Sequence, residues 1–209
     1  MKIKEPFSAV SHAIGAVLAI LALILLIRES IDPIKPWHIV AFSVFGSGMF
    51  LLYTASAIYH WLPVAPKYVK WLQTMDHAMI HVLIASTYTP VCLIPLRGVW
   101  GWSLIGLVWC LAIVGIGLKV FSFNRNSKLS LALYIGMGWT VLIAIRPLWL
   151  LMPKIGLLWI AAGGVAYTSG IIFYKAKQLD KLLVFFNLRI FLVVQLVAKL
   201  IILIDIDLI

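Results

Sequence analysis

Apolar residues fill this chain in long runs, and its polar residues gather in short clusters between them. Seven runs are long enough to cross a bilayer: residues 7–27, 37–61, 76–96, 100–120, 129–148, 155–173 and 182–204. A hydrocarbon core of about 30 Å needs about 20 apolar residues in a helix. The gaps hold Asp32-Pro33, Pro63 and Pro66, Arg97-Gly98, Asn124-Arg125-Asn126-Ser127, Pro153, and the stretch from Lys175 to Lys181. These are residues that end helices and turn the chain. The pattern predicts an all-α fold, a bundle of seven transmembrane helices. No gap is long enough to separate two domains, so residues 1–209 read as a single integral membrane domain. There is no internal repeat and no low-complexity tail.

Composition agrees. The 209 residues are 64% hydrophobic and 11% charged, with a mean hydropathy of +1.09. A soluble domain of this size needs far more polar surface. The first apolar run is too long for the core of a secretory leader and lacks a small-residue cleavage site, so it reads as the first span. The net charge of +10 would suggest nucleic acid in a soluble protein. Here the basic residues lie between apolar runs, so they set topology and no nucleic-acid partner is expected. With the N-terminus cytoplasmic, the inner segments hold Lys2, Lys4, Lys67, Lys70, Lys119, Arg125, Lys128, Lys175, Lys177 and Lys181. The outer ones hold Arg28, Lys35, Arg97, Arg146 and Lys154. That bias predicts a cytoplasmic N-terminus and, after seven spans, an outside C-terminus. Trp37, Trp61, Trp71, Trp100, Trp102, Trp149 and Trp159 stand near span ends, where interfacial anchors sit. Cys92 and Cys110 fall inside apolar runs and read as buried free thiols rather than a disulfide.

The candidate chemistry lies at the span ends. Ser56-Ala57-Ile58-Tyr59-His60 closes the second run, and Asp76-His77-Ala78-Met79-Ile80-His81 opens the third. Ionisable groups at membrane depth are costly and mark functional sites by default. The predicted topology places Glu5, His12, His60, Asp76, His77 and His81 in one leaflet and His38 alone in the other. Ser56 precedes His60 by four residues and shares its helix face. An imidazole and a carboxylate begin a zinc site, but a catalytic zinc takes three protein ligands and one open position. Two readings stand at this point. His60 and Asp76 start a metal site, or they are interfacial residues bonded to headgroups or to each other. His77 and His81, at i and i+4, either face one metal or bond neighbouring helices. His12 either joins the site or bonds another helix. Small residues at Gly46 and Gly48, Gly115 and Gly117, Gly136 and Gly138, and Ala161 to Gly164 predict close helix contacts.

Four segments in order carry a resemblance: Glu5-Pro-Phe-Ser-Ala-Val-Ser-His12-Ala-Ile-Gly15, Ser56-Ala-Ile-Tyr-His60, Asp76-His-Ala-Met-Ile-His-Val-Leu-Ile-Ala-Ser-Thr-Tyr-Thr-Pro90 and Gly163-Gly-Val-Ala-Tyr-Thr-Ser-Gly-Ile-Ile-Phe-Tyr174. Together they resemble the hemolysin III family, the bacterial branch of the progestin and adipoQ receptor proteins. That group belongs to a wider superfamily with alkaline ceramidases. The resemblance implies a seven-helix fold with the N-terminus inside. It implies a zinc site in which His60 ligates the metal, Asp76 acts through the metal-bound water and Ser56 supports the reacting centre.

One departure accompanies the match. The family's last helix supplies His-x-x-x-His as two further zinc ligands, whereas no histidine follows His81 here. Asn187 and Phe191 stand at the best-matching positions, beside Arg189. Three explanations are open: a metal-free relative that keeps the fold, a rearranged set from His60, His77 and His81, or a frameshift that altered the C-terminal segment. In the first of these, Arg189 would pair with Asp76 in place of the missing cation. The family name implies cytolysis or pore formation, and the superfamily implies zinc-dependent hydrolysis of lipid amides or esters. A third expectation is a regulator of membrane lipid state. Membrane lipids are the expected partners in every case, with zinc as a conditional one.

Overall fold

The computed structural model describes residues 3–121 and 127–175. The seventh run, Asn187, Arg189, Phe191 and the connection at 122–126 lie outside the described residues. The order is α1 (Pro6–Ile31), α2 (Pro36–Trp61), α3 (Pro66–Leu93), α4 (Val99–Phe121), α5 (Ser127–Trp139), a 3₁₀ segment (Thr140–Ala144), α6 (Ile145–Leu151) and α7 (Lys154–Lys175). No strand occurs among the described residues. Each of the first three helices opens on a proline. Proline fits there because the first-turn N–H groups have no intrahelical partner to lose.

Four stretches are long and apolar enough to cross a membrane: Pro6–Ile31, Pro36–Trp61, Val99–Phe121 and Leu129–Leu151, the last running through the 3₁₀ segment. Their outward faces confirm the solvent. On α1, Phe7, Val10, Ile14, Val17, Leu21, Ile24 and Leu25 are exposed, while Ala9, Gly15, Ala19, Ala22 and Leu26 face inward. Large aliphatic side chains outside and small ones inside is the arrangement of a helix in lipid, where close backbone approach replaces hydrophobic burial.

The third helix corrects the sequence reading. It begins at Pro66, ten residues before the predicted start at Asp76. Lys67, Lys70, Gln73 and Thr74 kept this first part out of a count based on apolar runs. Asp76 is therefore almost three turns into the helix. Although α3 is more polar than its neighbours, it packs against α2, α4 and α5. Its buried residues include Ala78, His81, Ile84, Ala85, Ser86, Tyr88 and Thr89. The helix continues through Pro90 to Leu93. The hydroxyls of Ser86, Thr87 and Thr89 donate to the carbonyls of Val82, Ile84 and Ala85.

Two glycines fix the spacing around α3. A Cβ on Gly48 of α2 would collide with Ser86, and one on Gly115 of α4 would collide with the His81 ring. Of the predicted small-residue pairs, Gly115 and Gly138 make such contacts, whereas Gly117 and Gly136 face open space. The run at 129–148 was expected as one helix. It breaks at the 3₁₀ segment, and Tyr88 serves the break: its hydroxyl accepts from the Val141 N–H at 3.0 Å and lies 2.7 Å from the Met137 carbonyl, to which it donates. Both cysteines are free, with Cys92 buried as expected and Cys110 on the exposed face instead.

Short connections make successive helices antiparallel. The start of α1 and the end of α2 therefore meet at one end of the bundle. At the other end, the Arg97 guanidinium lies 5.7 Å from the Trp37 ring, which meets Trp102 edge-on at 6.1 Å. His38 belongs to that end too, buried and edge-on to Phe42.

A polar site at one end of the bundle

The N-terminal approach to α1 and the last turn of α2 are bound together twice. The Glu5 backbone N–H donates to the His60 carbonyl at 3.1 Å, and the His60 Nδ1 lies 2.7 Å from Glu5 Oε2. Lys4 joins them, its ammonium 3.8 Å above the Tyr59 ring. Nearly two turns into α1, the His12 ring stacks on His60 with centroids 5.6 Å apart and planes within 7°. His12 also leans on Tyr53, whose ring fills the space over Gly15. Its neighbour is thus another imidazole, where the sequence left a site role and a bond to another helix open.

From α3, the Asp76 carboxylate accepts a hydrogen bond from the buried Ser56 hydroxyl, and it lies within electrostatic range of His60, Lys4 and Glu5. Three helices and the segment before α1 thus bring Ser56, His60, Asp76, Glu5 and His12 to one end of the molecule. His81 goes elsewhere: it is fully buried, with its ring 4.5 Å from that of Tyr134. The backbone carbonyl of His77 accepts from the same Tyr134 hydroxyl at 2.8 Å. One helix separates the two environments because successive residues on α3 point about 100° apart. Asp76 faces α2, and His81 faces α4 and α5.

The pairing of Glu5 with His60 is the feature that sequence reasoning missed. Its signal was present, since Glu5 opens the first motif and falls at the same end as His60. Nothing in an apolar-run count, however, says that the residue ahead of α1 folds back over α2.

The donor set bears on zinc. His60 and Asp76 supply two donors, and the bond of His60 Nδ1 to Glu5 leaves only Nε2 as the donor nitrogen of His60. Among the described residues no three of His, Cys, Asp and Glu gather as a metal-holding group, and this includes the set His60, His77 and His81. The described donors therefore do not fit a catalytic zinc, which takes three. What the site does offer is a cluster of hydrogen-bonding groups, rich in acceptors, at one end of the apolar helices.

These features define an all-helical membrane protein with a polar site at one end of its first three helices. The chain matches the profile of the haemolysin-III related family over residues 1–193, and it belongs to that family. It is 43% identical to Hemolysin-3 of Bacillus cereus, over 84% of this chain and 80% of the relative. It is 40% identical to the Hemolysin-3 homolog of Bacillus subtilis (strain 168), over 84% of this chain and 82% of that protein. The human Monocyte to macrophage differentiation factor is a more distant relative, 25% identical over 79% of this chain and 69% of its own length.

Proposed function

We propose that this protein is a multi-pass protein of the bacterial inner membrane that regulates membrane lipid state, reading lipid headgroups at its polar site. In this reading it has seven spans, with the Glu5 and His60 end at the cytoplasmic face and the C-terminus outside, a placement that the excess of Lys and Arg near that end supports. The observation that carries it is the one-sided convergence of Glu5, His12, Ser56, His60 and Asp76 at one end of an apolar core. Such a site faces headgroups and their first layer of water, and it holds acceptors for hydroxyl, amide and ammonium donors.

A second reading is a metal-dependent hydrolase of lipid amides or esters. It is favoured by the meeting of Ser56, His60 and Asp76, the residues that the family resemblance marks. It requires metal donors beyond the described residues.

One preparation tests both. The purified protein is placed in nanodiscs of phosphatidylglycerol, of phosphatidylethanolamine, or of either with added diacylglycerol, and its unfolding temperature is measured. A ligand that binds the folded state raises stability by RT ln(1 + [L]/Kd). The expected result is a headgroup-dependent shift of several degrees that Asp76→Leu abolishes. Equal unfolding temperatures in every lipid, or an unchanged pattern in Asp76→Leu, overturn the regulator. Stoichiometric zinc in the same preparation, lost in His60→Ala, favours the hydrolase reading in its place.

A further inference from the structure

We infer that Glu5 is a positioning residue for His60: its carboxylate holds the Nδ1 proton of the imidazole and leaves the Nε2 lone pair as the working edge of the site. The inference deepens the lipid-site reading, since it rests on His60 being the imidazole that meets the ligand.

The geometry carries it in three parts. The contact of 2.7 Å between Glu5 Oε2 and His60 Nδ1 has the length of a charge-assisted hydrogen bond. An ionised carboxylate only accepts, so Nδ1 is the donor and carries the proton. A neutral imidazole protonated at Nδ1 is an acceptor at Nε2, and a carboxylate partner fixes both the tautomer and the ring's orientation. The same residue also fixes the backbone under the ring, because the Glu5 N–H donates to the His60 carbonyl at 3.1 Å. Finally, the ring is held by its neighbours. His12 stacks on it at 7°, and Tyr59 meets it edge-on at 4.8 Å with the Lys4 ammonium over the tyrosine. Glu5 itself is half exposed while His60 is largely covered, so the carboxylate acts from the water side. Ser56 already occupies the Asp76 carboxylate. Among the described residues, Glu5 is therefore the carboxylate bonded directly to His60.

The tautomer is read directly. The full chain, labelled with ¹⁵N-histidine, is reconstituted into phosphatidylglycerol bilayers at pH 8 and examined by solid-state NMR. The chain has five histidines, and His60 is assigned by the signals missing from His60→Gln. The expected spectrum shows a protonated Nδ1 and an unprotonated Nε2. Glu5→Leu makes the Nε2–H tautomer the major one. Glu5→Gln, whose amide carbonyl still accepts, keeps the wild-type tautomer, a rescue that a merely structural role for Glu5 does not predict. An Nε2–H or doubly protonated ring in the wild type overturns the inference, as does an unchanged tautomer in Glu5→Leu. Should Glu5→Leu fail to fold, the wild-type and Glu5→Gln spectra decide, with a lost Nδ1 proton in either counting against the inference. The readout needs no lipid response, so its failure and that of the proposed function are separate results.

Discussion

At the scale of single residues, the molecule depends on polar side chains that serve backbone groups inside an apolar bundle. Tyr88 is the clearest case. Its hydroxyl accepts from the Val141 N–H and donates toward the Met137 and Gly138 carbonyls, 2.7 and 2.8 Å away. These are the groups that a regular helix would pair and that the 3₁₀ segment frees. In hydrocarbon no water replaces the lost bonds. Tyr88→Phe keeps the ring and removes the hydroxyl, so it leaves the Val141 N–H without this partner. The expected loss is about 1–2 kcal/mol of stability, read as a lower unfolding temperature of the detergent-solubilised protein. An unchanged transition would mean that the break is held by other contacts. Tyr134 and Tyr167 act in the same way, the first bonding the His77 carbonyl and the second the Tyr134 carbonyl. Together the three hydroxyls connect α3, α5 and α7.

At the scale of elements, the apolar runs were legible in the sequence because lipid demands long uninterrupted helices, and five of the six runs within the described residues fall largely within single α-helices, the fifth being broken by the 3₁₀ segment. What escaped has physical causes. The first ten residues of α3 carry lysines and polar groups, so a hydropathy pattern cannot distinguish them from a loop. The break in the fifth run depends on Tyr88, a residue about 50 positions away in the chain. The polar site was legible as a cluster, since short connections force span ends together, but its internal pairing needed coordinates. Glycine spacing was half legible. The sequence marks Gly115 and Gly117 alike, yet only the first touches the His81 ring. Gly115→Ala therefore pushes α4 away from a fully buried side chain and is expected to cost about 1–3 kcal/mol. Gly117→Ala meets open space and is expected to be neutral or stabilising by up to about 1 kcal/mol, the gain in helix propensity. Unfolding of the two variants side by side checks this. Equal losses would show that the α3–α4 contact is not set by residue 115. Restoration of Gly115→Ala by a second change, His81→Ala, would confirm the collision as the cause.

At the scale of the whole molecule, the question is whether a protein akin to Hemolysin-3 forms a pore through its own bundle. A conducting path needs polar or small lining from one face to the other. Here the polar groups at the His60 end and those at the Trp37 end are separated by an apolar layer. His38 and His60 stand at opposite ends of α2, about 33 Å apart along its axis. Between them, Ala19, Ala22, Leu26, Phe42, Phe45 and Met49 pack as a continuous buried core. On the other side of α3, Ile84, Ala85, Val108, Ala112 and Met137 do the same. The hydroxyls in that half are spent on backbone carbonyls, as with Ser86 and Thr140, and line no channel among the described residues. Charged or hydrated solutes crossing such layers would meet the full desolvation cost of hydrocarbon. The expected outcome of a dye-release assay is therefore leakage from protein-containing liposomes no faster than from protein-free ones, at any protein-to-lipid ratio that leaves the vesicles intact. Release that grows with protein content and persists for dyes of increasing size would refute this. It would place the conducting path between copies of the protein or in the residues after 175, since the packed layers described above are apolar.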